Sequence, residues 1–198
     1  MPLPDDAPSV VDLYVQWVYG GKIYSQIYSQ TAPEDEGGDE EADERGETEL
    51  NLLLDGFVFG EKVQDRGFRD AIVDALIHSV ATPDANGVCW FPTNGSVDRL
   101  YKGTPEGSPM RRLLVDLHVF RGSSKWLEGD QNNAEFTVEL ARRLIDREGT
   151  QAHLDPTKPN LSSCRYHHHG KEDECYGGAA SVDPAPAKRV KATGAFSF

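Results

Sequence analysis

Between Thr31 and Thr48 the chain has almost nothing apolar that a hydrophobic core could bury. The run from Glu34 to Glu47 consists mainly of aspartate and glutamate with interspersed glycine, and it carries most of the formal net charge of −13. Segments of this composition stay disordered because they bury too little apolar surface to offset the entropy lost on folding. The sequence therefore predicts a disordered acidic insertion at 31–48, with an acidic interaction tract as the alternative.

The charge also bears on the partners that this chain can have. Duplex nucleic acid and anionic membrane surfaces both bind positively charged protein surfaces. The negative net charge of this chain therefore predicts neither as a partner. No apolar stretch approaches membrane-spanning length, and the N-terminus has no basic region followed by an apolar one, so no secretory signal is expected. Three cysteines do not make a disulfide framework. The predicted location is the cytoplasm or the nucleus.

Hydrophobic residues recur at helical spacing in six segments, which predicts a mainly α fold. The predicted helices span residues 9–19, 49–62, 65 or 70–80, about 97–101, 108–121 and 133–147. Ser9 and Ser108 are predicted N-caps, the latter followed by Pro109, and Asn132 and Glu135 have capping-box spacing. The best strand candidate, residues 87–91, is short.

These patterns divide the chain into five parts. A first helical part at 1–30 precedes the acidic insertion at 31–48, and a helical domain at 49–148 follows it. The helices at 49–62 and 65–80 are joined by a tight connection, so we expect them to pack as an antiparallel pair. An irregular segment containing cysteine and histidine is expected at 149–182, and a disordered tail at 183–198. In that tail Lys188-Arg189-Val190-Lys191 is either a weak nuclear-import signal or an ordinary solubilising stretch.

The first helical segment ends in Trp17-Val18-Tyr19-Gly20-Gly21, the second contains Gly60-Glu61-Lys62, and residues 68–76 form the third. In this order the segments resemble part of a BTB/POZ domain of filamentous-fungal proteins. The first is similar to the closing helical hairpin with its final turn, the second to the following helix with its glycine–glutamate–lysine segment, and residues 68–76 fit the next helix. Residues 97–101 and 108–116 resemble the helical extension that such proteins carry. The resemblance covers about residues 11–147 and implies a scaffold or adaptor role.

The resemblance has one departure. The opening mixed sheet of the BTB fold and its first helix have no counterpart here, so the chain is expected to be either a truncated relative or a partial paralogue, beginning where the second half of the domain begins. Dimerisation and cullin-type ligase binding depend on the missing half and are not carried over. Helical hairpins of the C-terminal part of a BTB/POZ fold, plus the helical extension, are what the resemblance implies.

The densest group of possible metal ligands lies between Cys164 and Cys175, with His167 and His169 between them. Two thiols and two imidazoles could form a tetrahedral zinc shell. Structural zinc sites usually draw their ligands from two close pairs, and that spacing is absent. The sequence therefore predicts no metal and no cofactor, and a small zinc-stabilised nuclear regulatory module is kept as the alternative function.

No set of residues predicts catalysis. Cys89 and Cys164 offer thiols, and bases are available at His78, His118 and His153, but no motif brings a nucleophile and a base together. Glycine-rich phosphate loops are absent. We therefore expect no enzyme, no catalytic residue and no small-molecule substrate.

The function predicted from sequence is a non-enzymatic protein–protein interaction module. Its apolar helix faces would meet a protein partner, with self-association as one option. The residues predicted to form the binding surface are aromatic: Tyr14, Trp17, Tyr19 and Phe57.

Overall fold

A computed structural model describes residues 6–25, 39–84, 87–128, 132–146, 155–159, 162–170 and 173–176, with the backbone alone at 39–47. Over these ranges the secondary structure is entirely helical, which confirms the mainly α class. Residues 87–91, the strand candidate, form no strand. No helix in the described part is long and apolar enough to cross a membrane.

Six α-helices make up this part of the chain. They are α1 (Pro8–Gly20), α2 (Asp39–Val63), α3 (Arg66–Ala81), α4 (Asn94–Gly103), α5 (Pro109–Arg121) and α6 (Ala134–Ile145). Short 3₁₀ turns follow α5 at Ser124–Leu127 and lie near the C-terminus at Ser163–Tyr166.

The main difference from the sequence prediction is the start of α2. The prediction begins this helix at Glu49, but its backbone is already helical from Asp39, within the acidic stretch that was expected to be disordered. Glutamate, alanine and arginine are good helix formers, and acidic residues near a helix N-terminus interact favourably with the helix dipole. The rest of the predicted insertion, residues 31–38, and the predicted tail at 183–198 lie outside the described residues.

Two predicted caps are displaced by one or two residues. Helix α1 begins at Pro8 after Ala7, so Ser9 lies inside the helix and does not cap it. At α6 the N-cap is Asn133, whose side chain accepts from the Phe136 amide at 3.1 Å, and not Asn132. Proline at the first helical position favours the earlier start of α1 because its backbone angle is already helical.

Helix α2 is the centre of the molecule, since it contacts α1, α3 and α4. The turn into α3 has Gln64 in the left-handed conformation (φ 59°), and Asp65 then caps α3 by accepting from the Phe68 amide. These two residues reverse the chain within a few positions, so α2 and α3 pack as the predicted pair. The resulting core is made of large apolar side chains from every helix, including Leu13, Leu53, Phe57, Phe68, Leu76, Leu100, Leu113 and Phe136.

Helix α5 is buried over most of its surface and packs against α6. The C-terminal segment, described at 162–170 and 173–176, contacts both α3 and α5. Tyr166 is the largest fully buried side chain of that segment, and its hydroxyl donates to Asp116 at 2.9 Å. Through Tyr166 this segment contributes to the core.

His118 of α5 gives a prediction about acid stability. Its Nδ1 lies 2.8 Å from the Leu114 carbonyl, its Nε2 has no hydrogen-bonding partner among the described residues, and its ring packs on Phe136. Burial lowers the pKa of His118, outweighing the backbone hydrogen bond that raises it. Below a pH of about 6.5 the unfolded chain therefore takes up a proton that the folded state resists, and stability falls as pH decreases.

When the pH falls from about 6.5 to about 5, we expect the free energy of unfolding to decrease less in a His118→Leu variant than in the wild type. The two slopes should differ by at most about 1.4 kcal/mol per pH unit, the contribution of one titrating group. Urea unfolding of both chains at several pH values measures this difference. Parallel pH profiles would contradict the assignment.

Candidate functional site

Four side chains of the C-terminal segment converge on one point. One ligand atom each from Cys164, His167, His169 and Cys175 can be chosen so that all four lie within 4.8 Å of one another. His167 is buried, His169 and Cys175 are half-buried, and Cys164 is exposed. The structure thus brings together ligands that the sequence spacing did not pair.

The local backbone explains this convergence. Ser162 caps the 3₁₀ turn at Ser163–Tyr166, and the His167 amide donates to the Cys164 carbonyl. In a 3₁₀ turn, residues three apart eclipse one another, so Cys164 and His167 point to the same side. The Gly170 amide then donates to the Asp173 carboxylate at 3.0 Å, and this turn directs the chain back so that Cys175 approaches His167.

The ligand atoms that face one another in this cluster, here called the inner atoms, are close enough to share one ion. The other ring nitrogen of each histidine, which points away from the cluster, is called the outer nitrogen. Nδ1 of His167 lies 3.3 Å from Nε2 of His169 and 3.5 Å from the Cys175 sulfur. The outer nitrogens face acceptors: Nε2 of His167 is 3.0 Å from the Asp74 carboxylate, and Nδ1 of His169 is 2.9 Å from the Gly170 carbonyl.

Asp74 of α3 fixes the position of this segment. Its carboxylate accepts from the Tyr176 hydroxyl at 2.6 Å on one oxygen and faces His167 on the other. Burial raises the pKa of Asp74, but hydrogen bonds from His167, Ser163 and Tyr176 outweigh it and hold the pKa below its usual value. Asp74 is therefore a charged anchor for the segment.

His168, the middle histidine of three, points elsewhere. Its backbone amide donates to Asp70 at 2.8 Å, its ring nitrogens lie near Asp70 and Glu61, and the ring packs on Phe57. The neighbours of His168 therefore belong to the cluster, while His168 itself packs on α2 and α3.

A groove of about 540 Å³ lies beside the cluster, between the end of α1 and α3. Its lining is mainly apolar, with a few charged groups: Trp17, Ile23, Tyr24, Glu49, Ala71, Asp74, Ala75, His78 and Tyr176 are among its residues. Trp17 and Tyr176 meet edge to face at 5.6 Å, so the C-terminal segment forms part of the groove wall.

The outer face of α1 is also apolar and exposed. Tyr19 is 88% exposed and Val18 58%, and Val15 lies one turn earlier on the same face. The opposite face, with Val10 and Leu13, is buried in the core. Helix α1 is thus apolar on both sides, although one side has no partner in the described part of the chain.

The four aromatic residues predicted to bind a partner have different environments. Tyr19 is exposed and Trp17 lines the groove. Tyr14 is half-buried, donates to Asp65 at 3.3 Å and packs on Phe59 and Phe68, so it serves the fold. Phe57 is fully buried and does not reach the surface, which removes it from the proposed contact surface.

Among the candidate catalytic groups in the described residues, His78 lines the groove at an exposed position, whereas His118 is buried in α5. Neither Cys89 nor Cys164 is a groove residue. The hydroxyl of Ser25, a groove residue, donates to Glu49 at 2.7 Å. His153 lies outside the described residues.

No family model, curated protein or solved structure matches this chain.

Proposed function

We propose that the chain is a non-enzymatic protein–protein interaction module that docks a partner on the outer face of α1 and in the groove at its C-terminal end. The observation that carries the proposal is the double-sided apolar character of α1. Val15, Val18 and Tyr19 remain exposed on a helix whose other face is already held in the core. Large exposed aromatic and aliphatic groups beside a pocket are typical of protein-binding sites.

The charge near this surface favours a basic amphipathic segment as the partner. Glu49 and Asp74 line the groove together with the basic Lys22. The backbone of α2 continues N-terminally from Glu49 to Asp39, about 15 Å at 1.5 Å per residue. That extension contains six acidic residues and one arginine: Asp39, Glu40, Glu41, Asp43, Glu44, Arg45 and Glu47. A partner helix with one apolar face and several lysines or arginines would place its apolar face in the groove and its basic side chains near the acidic extension.

A non-enzymatic role is supported by the polar groups in the groove. The Ser25 hydroxyl directs its proton to a carboxylate and not to an imidazole, and Asp74 is engaged by Tyr176 and His167. A serine nucleophile activated by a base needs its hydroxyl to face an imidazole. The Cys175 thiol, whose sulfur does lie 3.5 Å from Nδ1 of His167, belongs to the Cys/His cluster. We accordingly propose no small-molecule substrate, and no nucleic acid or membrane partner.

The adaptor or scaffold class implied by the BTB/POZ resemblance agrees with this proposal and remains part of it, as does a cytoplasmic or nuclear location. The alternative function, a zinc-stabilised regulatory module, is favoured by the Cys/His cluster. Both can hold in one molecule, because the segment that carries the cluster also places Tyr176 against Trp17 in the groove wall.

The proposal is tested with synthetic helical peptides that share one apolar face and differ in charge. We expect the basic peptide to bind, measured by calorimetry, and its affinity to fall as salt increases. The charge-inverted peptide should bind at least about 10-fold more weakly, because it would be repelled by the acidic helix extension.

Variants separate groove binding from simple charge attraction. Tyr19→Ala and Trp17→Ala are each expected to lower the affinity for the basic peptide about 5- to 30-fold, as loss of an aromatic contact usually does. Ile145→Ala on α6 is the matched control, because Ile145 is also exposed, and it should leave the affinity for the basic peptide unchanged. Equal binding by all four proteins, or no binding by wild type, would reject the proposal.

A further inference from the structure

We infer that Cys164, His167, His169 and Cys175 form a structural zinc site, bound through both thiolates, Nδ1 of His167 and Nε2 of His169. The inference goes beyond the proposed docking function and does not depend on it. It is carried by the spacing of the inner atoms, by the hydrogen bonds of the outer nitrogens and by the chemistry of the four ligands.

The distances between inner atoms match the edges of a zinc tetrahedron. Bonds of about 2.0–2.1 Å to nitrogen and about 2.3 Å to sulfur give edges of about 3.3 Å between two nitrogens and about 3.6 Å between nitrogen and sulfur. The His167–His169 separation is 3.3 Å and the His167–Cys175 separation is 3.5 Å. The remaining pairs lie within 4.8 Å, so a shift of about 1 Å closes the shell.

The outer hydrogen bonds decide the form of each imidazole. Nε2 of His167 faces the Asp74 carboxylate and Nδ1 of His169 faces the Gly170 carbonyl, and both are acceptors. Each outer nitrogen must therefore carry a proton, which leaves the inner nitrogen of a neutral ring with a lone pair. Two inner nitrogens 3.3 Å apart need either a shared proton or a metal ion between them, and the Cys175 sulfur, 3.5 Å from Nδ1 of His167, offers a metal ion a further ligand.

These outer contacts also complete the site. A histidine that binds a metal usually donates its other ring hydrogen to a carboxylate or a backbone carbonyl, which fixes the ring orientation and strengthens the ligand. Asp74 does this for His167 from α3, and Gly170 does it for His169 within the segment. The carboxylate–histidine pair joins residues that are 93 positions apart.

The ligand types select the ion and its role. Two thiolates and two imidazoles in a tetrahedron suit zinc, whereas magnesium and calcium require oxygen ligands. Because the protein supplies all four ligands, no position is left for water or substrate, so the ion is structural. It would hold the segment at 162–176 against α3 and keep Tyr176 in place beside Trp17.

The first experiment measures zinc in the whole chain, purified under reducing conditions. We expect about one zinc per chain by elemental analysis, and cobalt substitution should give the intense visible absorption of a tetrahedral ion with thiolate ligands. Cys164→Ser and Cys175→Ser should each weaken zinc binding by at least about 100-fold in competition with a chelating dye, since each removes a thiolate ligand.

Two variants serve as matched controls. Cys89→Ser removes the third cysteine, which lies outside the cluster, and His168→Gln removes the histidine that points to Asp70 and Glu61. Both should bind zinc as the wild type does. If His168→Gln weakens binding as much as His169→Gln, the metal is held by an exposed histidine-rich turn, and the proposed site is wrong.

Two further measurements apply even if the cysteine variants fail to fold. In the wild type, zinc should slow alkylation of Cys164 and Cys175 at least about 10-fold and leave Cys89 unchanged, as mass spectrometry of peptides can show. Asp74→Asn, which leaves all four ligands in place but removes the charged acceptor of His167 and Tyr176, should weaken zinc binding about 10- to 100-fold. Absence of zinc, or uniform alkylation of all three cysteines with zinc present, would overturn the inference.

Discussion

Replacing Phe57 with alanine is expected to lower the free energy of unfolding by about 3–5 kcal/mol, the usual cost of removing a large ring from a packed core. Phe57 is fully buried in the C-terminal part of α2, and its ring packs on His168 of the C-terminal segment. The cavity would lie where the helices and that segment meet, so the surroundings can collapse into it only in part. Denaturant unfolding followed by circular dichroism measures the loss.

The comparison with Tyr19→Ala makes this prediction specific. Tyr19 is 88% exposed, so its removal should change stability by less than about 0.5 kcal/mol while it weakens partner binding. The two aromatic residues were grouped together on sequence, and the structure separates their roles. A Phe57→Ala protein of normal stability would show that the packing described for α2 is wrong.

The second large effect is expected at Arg111, whose guanidinium is buried in α5. It donates to the Tyr101 carbonyl at 2.5 Å, to the Thr104 carbonyl and to the Thr104 hydroxyl at 2.9 Å, and it lies 4.3 Å from the centre of the Tyr101 ring. These bonds satisfy the carbonyls at the end of α4. The Arg111 side chain is thus the link between α4 and α5.

We expect Arg111→Met to cost about 2–4 kcal/mol, because each buried acceptor left without a donor costs about 1–3 kcal/mol. Glu135, the ion-pair partner of Arg111, is exposed and can be hydrated, so it adds little to this loss. Arg111→Lys should recover only part of the stability, since one ammonium cannot reproduce the planar fork. The control is Arg112→Met, at the exposed neighbouring position, which should unfold at nearly the wild-type denaturant concentration.

The helices could be predicted from sequence because their apolar residues recur with the helical period. Leu13, Phe68 and Leu113 illustrate this, since each is part of such a pattern and each is fully buried. The cap of α6 was predicted one residue early because asparagine occupies both positions 132 and 133, and composition does not distinguish them. The helical start of α2 was missed because the composition of residues 39–48 favours disorder, while their intrinsic helix preference favours the opposite.

The candidate metal site could not be predicted from ligand spacing. The interval of three between Cys164 and His167 brings side chains together only when the backbone forms a 3₁₀ turn, and that turn depends on Tyr166 entering the core. The position of Cys175 depends on a later turn at Gly170. Long-range burial of one aromatic residue in an irregular segment leaves no periodic signal, so sequence reasoning identified the ligands but not their convergence.

The return of the C-terminal segment also sets an order of events during synthesis on the ribosome. The bonds from Asp74 to His167 and Tyr176 join residues 93 and 102 positions apart, so all six helices emerge before these bonds can form. Until then the carboxylates of Asp70 and Asp74 on the growing chain are satisfied by water, and the Phe57 ring lacks its cover. Docking of this segment is therefore a late step in folding, and until it occurs the surfaces of α2 and α3 that the segment covers stay open to aggregation.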